Sequence, residues 1–74
     1  MHDDNLIRMA NQIGYFFDSM PDRQEGLQGI AKHLKKFWEP RMRRAFLAQL
    51  DDPATPGVSE IVREAVQAHR GLIQ

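Results

Sequence analysis

The densest collection of chemically capable side chains is the run Phe37-Trp38-Glu39-Pro40-Arg41-Met42-Arg43-Arg44, with two aromatics, a proline and three arginines in eight residues. Arginine forks match carboxylates and phosphates, and Trp together with Arg is a common make-up of interface anchors. The plainer reading is aromatics in a core and arginines on a solvated face. On residues alone, a protein-binding surface at Trp38, Arg41, Arg43 and Arg44 is favoured over a catalytic one. Trp38 closes a helix beside Pro40, so part of its ring is expected at the surface.

Other chemistries find less support. The three histidines, His2, His33 and His69, lie far apart, and none pairs with a histidine or carboxylate in the HExxH pattern. The chain has no cysteine, which excludes a disulfide framework, a thiolate zinc site, a cysteine nucleophile and an iron–sulfur cluster of its own. The acids gather at expected helix starts and in one loop, where capping accounts for them. No Ser–His–Asp order and no glycine-rich phosphate loop is present, so no independent active site is expected.

Charge is segregated although the total is neutral. Residues 1–31 carry five acids and two bases, residues 32–44 six bases and one acid, and residues 45–74 four acids and two bases. A basic block of this kind can meet a phosphate, an acidic protein or a nucleic acid. A small nucleic-acid-binding helical domain is therefore one alternative. The neutral total, the acidic flanks and the lack of a three- or four-residue turn weigh against it.

These side chains must be positioned by helices. The 74 residues allow one domain, read as a single small helical domain over 1–74. Leu6, Ala10, Ile13, Phe17 and Met20 recur at helical steps, with Met9 and Phe16 widening the stripe. So broad a face meets two neighbouring helices or partly meets another chain. Asp3 or Asp4 is expected to cap this helix, and Gly14 within it permits a close backbone approach. Asp22 and Glu25 have capping-box spacing before an amphipathic stretch of Leu27, Ile30, Ala31, Leu34, Phe37 and Trp38. Pro40 suits the first position of a third helix, whose inner residues are Met42, Ala45, Phe46 and Leu50. Residues 51–57 form a Pro- and Gly-containing loop. Val58, Ile61, Val62, Ala65, Val66 and His69 repeat as a last amphipathic helix, with Gly71 as its stop and Leu72-Ile73-Gln74 as an apolar tail. The expectation is an all-α, compact bundle of three to four short helices over about 4–19, 23–38, 40–50 and 58–70. No stretch has membrane-spanning length, and the acidic start lacks signal-peptide order, so a cytoplasmic protein is expected.

The run Met9-Ala10-Asn11-Gln12-Ile13-Gly14-Tyr15-Phe16-Phe17 resembles the opening motif of the delta subunit of NAD-dependent formate dehydrogenase. Gly29 to Leu34 and Phe37 to Arg44 resemble its second signature, and Val58 to Ala68 its more loosely patterned last helix. The resemblance implies a non-catalytic accessory subunit of a cytoplasmic molybdenum- or tungsten-dependent enzyme. The implied complex carries a bis-pterin metal site in its large subunit, with iron–sulfur clusters, FMN and NAD in the others, and none of these in this chain. Implied partners are the large catalytic subunit and its electron-transfer subunits; separately, the surplus apolar surface suits the isolated chain to self-association. The implied role is assembly or stability of the complex. The alternative is a maturation factor that helps insert or retain the pterin cofactor, with Arg41, Arg43 and Arg44 as phosphate ligands. Asn11 and Gln12 match the first motif as polar residues in an apolar helix. They are either partner contacts or hydrogen-bonding groups for a neighbouring helix end.

Overall fold

A computed structural model describes residues 4–74. It contains four helices: α1 (Asp4–Asp18), α2 (Arg23–Phe37), α3 (Pro40–Leu50) and α4 (Glu60–Ile73). The Asp3 and Asp4 side chains, expected to cap α1, lie outside the described residues, as does His2. Among the described residues no strand occurs, so the all-α expectation holds.

Local chemistry accounts for the boundaries. The Asp22 carboxylate accepts hydrogen bonds from the Gln24 and Glu25 amides at 2.9 and 3.4 Å, so α2 starts at Arg23. Pro40 occupies the first turn of α3, where no intrahelical donor is lost. The α4 boundaries differ from expectation at both ends. Val58 and Ser59 precede the helix, and Ser59, with an extended backbone, is the N-cap. Gly71 does not stop the helix. The backbone instead departs from helical values at His69 (φ −132°, ψ 30°) and then resumes for a final turn. That bend carries Ile73 into the core, where it is fully buried.

The most extensive helix pair is α2 with α4, and α1 packs across both. Leu6, Ala10, Ile30, Leu34, Phe46 and Val62 belong to the continuous core. Gly14 permits the α1–α4 approach: a Cβ there would sit 2.8 Å from the Val62 side chain and 3.1 Å from that of Ile61. The motif glycine thus trades about 1 kcal/mol of helix propensity for close packing.

Candidate partner-docking site

Not all of the apolar stripe on α1 is covered. Its outer edge and α2 enclose an open groove lined by Met9, Gln12, Ile13, Phe16, Phe17 and His33, with Trp38 also on the wall. Phe16 is 68% exposed, Phe37 64% and Tyr15 84%, values unlike those of core aromatics. The arrangement has a sequence origin. Gly29 leaves the space that the Phe17 ring fills, since a Cβ at 29 would overlap that ring. Phe16 then stands edge-on to Phe17, with centroids 5.1 Å apart and planes at 88°. On α2, the His33 and Phe37 rings lie 4.7 Å apart, and Lys36 Nζ is 5.6 Å from the Phe37 centroid.

The six residues singled out from the sequence divide between the interior and the surface. Asn11 is a structural clasp: its Nδ2 donates to the Gly57 carbonyl at 2.6 Å, and its Oδ1 accepts from the Ser59 amide at 3.1 Å. Both bonds tie α1 to the lead-in of α4, the hydrogen-bonding alternative for this residue. Gln12 is exposed and lines the groove. Trp38 is 6% exposed and packs T-shaped on Phe46 at 5.4 Å, so the expected surface ring is instead a buried one. The reason is helical register: Trp38 stands four residues after Leu34 and seven after Ala31, on the same buried face of α2, and only the chain beyond it turns away (ψ 139°). Phe37, assigned to the inner stripe by its spacing, points outward.

The three arginines also separate. Arg43 is 9% exposed, and its Nη1 donates to the Trp38 carbonyl at 2.6 Å and the Lys35 carbonyl at 3.3 Å. It satisfies carbonyls that the end of α2 leaves without helical partners. Arg41 and Arg44 are exposed and form no ion pair among the described residues. A three-arginine phosphate cradle is therefore not formed. Asp51, a possible internal partner for that group, pairs instead with Arg70 at 2.9 Å.

Elsewhere the charges secure the fold. Arg23 bridges Asp18 and Glu64, each at 2.7 Å, and joins the end of α1, the start of α2 and the middle of α4. Its hydrogen bond to the Glu64 carboxylate holds the Glu64 pKa below the ordinary value and raises that of Arg23. Lys35 Nζ donates to the Gln74 carbonyl at 2.9 Å and anchors the last turn. The basic block is thus partly spent inside the chain, while Lys32 and Lys36 stay exposed.

Sequence reasoning missed Met9, Phe16 and Phe37 as surface residues because helical spacing assigned them to the apolar stripes of α1 and α2. The signal was the breadth of the α1 stripe, which exceeds what one small core can cover. No group of three or more His, Cys, Asp or Glu side chains among the described residues is placed to hold a metal ion. No helix among them is long and apolar enough to cross a membrane. Fold and surface together define a small helical protein whose openly exposed aromatics flank the α1–α2 groove.

The family model of the NADH-dependent formate dehydrogenase delta subunit, FdsD, matches residues 5–66, which include α1 but for its first residue, all of α2 and α3, and the first half of α4. The chain belongs to that family. No curated protein and no solved structure matches it.

Proposed function

We propose that this chain is a non-catalytic accessory subunit of a cytoplasmic NAD-dependent formate dehydrogenase, docked through the α1–α2 groove on the large metal-pterin subunit. One observation carries the reading: Phe16, 68% exposed, lines the groove, and Phe37, 64% exposed, packs against the groove's His33 at 4.7 Å, neither ring being in the core. Covering a large apolar side chain is worth roughly 1.5–3 kcal/mol, so an uncovered pair is a reservoir for association. The contribution to the enzyme is assembly and stability. The pterin-bound molybdenum or tungsten, the iron–sulfur clusters, FMN and NAD belong to the other subunits in this reading.

The maturation-factor reading draws on Arg41 and Arg44, whose exposed guanidinium groups lack acidic partners among the described residues. It is the weaker one, because Arg43 is committed to the end of α2. A tagged pull-down with subunit identification and metal analysis distinguishes the two. The docking reading expects stoichiometric recovery of metal-loaded enzyme with the native chain and loss of that enzyme with Phe16→Asp. Binding to metal-free enzyme alone, or a retained but metal-poor complex after Arg44→Ala, transfers the role to cofactor handling. Recovery of nucleic acid without dehydrogenase contradicts both.

A further inference from the structure

We infer that the α1–α2 groove receives an amphipathic helix of the partner subunit, apolar on its seated face and acidic along the edge that meets Lys36 and Lys32. The inference rests on the docking reading above and adds the chemistry of the docked segment.

The backbone of the occupant is the first constraint. An extended segment in an apolar groove needs outside partners for its N–H and C=O groups. The lining residues offer hydrogen-bonding side chains only at Gln12, His33 and the largely buried Trp38 indole, and the described residues include no strand edge to extend. A helix satisfies its own backbone and needs only an apolar stripe. Met9, Gln12 and Phe16 follow one another at three- and four-residue steps along α1, about two turns, or roughly 10 Å, of groove wall. Two turns of a third helix, seated beside α1 and α2 at the usual 8–10 Å spacing, fit that length.

Charge is the second constraint. No acidic residue lines the groove. Lys36 lies over the Phe37 ring, which packs on the groove's His33, and Lys32 immediately precedes His33 on α2. Both lysines are exposed, and neither is paired with a carboxylate among the described residues. The other nearby lysine, Lys35, is engaged with Gln74. An acidic flank therefore answers two cations that the chain itself leaves unanswered, and a basic flank is repelled. Rim charges of this kind act on encounter and orientation, and salt weakens them.

The test titrates the full chain into purified dehydrogenase that lacks it, at about 0.05 M and about 0.5 M salt. Lys32→Glu/Lys36→Glu is expected to weaken binding about tenfold at low salt and to flatten the salt dependence. The charge-matched control, Arg41→Glu/Arg44→Glu, is expected to change binding less than about threefold. Far-UV circular dichroism checks that each variant keeps its helices. Equal weakening by the two pairs overturns the acidic flank, because total charge then explains the effect. Native-like binding by the lysine pair overturns it as well. A Phe16→Ala variant that binds as tightly as the native chain removes the groove itself. Self-association of the isolated chain that Phe16→Ala abolishes assigns the groove to a second copy. If the native chain fails to bind the enzyme, the docking reading fails, and the inference with it.

Discussion

The two sides of α1 carry comparable apolar side chains and meet opposite surroundings. On the inner side, Leu6 and Ala10 are buried, and Gly14 lies against Val62 with no room for a methyl group. On the outer side, Met9 and Phe16 line a groove that reaches His33, on which the exposed Phe37 packs. The difference lies in what covers each side: α2 and α4 together close the inner one, while the outer one has only the edge of α2. A chain this short buries its core with one stripe of α1. The second stripe is surplus to folding, so it is available for association.

The largest expected separation between the two sides comes from truncating one aromatic on each. Phe46→Ala removes a fully buried ring that supports Trp38, at a cost of about 3–5 kcal/mol. Phe16→Ala changes stability by less than about 1 kcal/mol yet weakens recovery of the complex. Urea unfolding and co-purification measured on both variants break the comparison if Phe16→Ala unfolds the chain or Phe46→Ala leaves its stability intact.

Neighbouring arginines sharpen the contrast next. Arg43→Ala strips the donors from the Trp38 and Lys35 carbonyls and is expected to cost about 2–3 kcal/mol. Arg44→Ala, on an exposed side chain one residue away, is expected within about 0.5 kcal/mol of the native chain. Thermal unfolding distinguishes them.

Asn11→Ala follows, with a loss of about 1–2 kcal/mol from the two bonds that hold Gly57 and Ser59. Amide hydrogen exchange is expected to rise first at the residue 57–59 lead-in of α4, ahead of α2.

The smallest effect belongs to the exposed Arg23–Glu64 pair. Arg23 holds the Glu64 pKa below the ordinary value of 4.5, so the stabilisation is complete above that value and is lost as pH falls through the folded one. Glu64→Gln is expected to remove a small part of the acid-side decline in stability and to leave neutral-pH binding unchanged. A Glu64→Gln acid profile that overlays the native one denies the clasp any part in that decline.

Much of the fold was legible because the punctuation was strong. Asp22 announces the start of α2, and Pro40 the start of α3. The period of Val58 to His69 announces α4, although its first residues proved to precede the helix. Its last turn was not legible, since the bend at His69 depends on how Ile73 finds the core. The site was legible only in outline. Phe37 and Trp38 are adjacent in the same predicted stripe, but at about 100° per residue Trp38 falls near its centre, above Leu34, while Phe37 falls at its edge. The central position puts the Trp38 ring onto Phe46. Arg43 and Arg44 read alike until the unpartnered carbonyls of α2 claim one of them. Asn11 could be read as clasp or contact, and only the lead-in to α4 reveals the two bonds that make it a clasp.

Hydroxyl-radical footprinting of the assembled dehydrogenase against the free chain tests the docking surface most directly. The account predicts strong protection of Met9, Phe16 and Phe37, with Leu72, a partly exposed side chain away from the groove, unchanged. Unaltered reactivity at Phe16 and Phe37, with protection confined to α3, would contradict it.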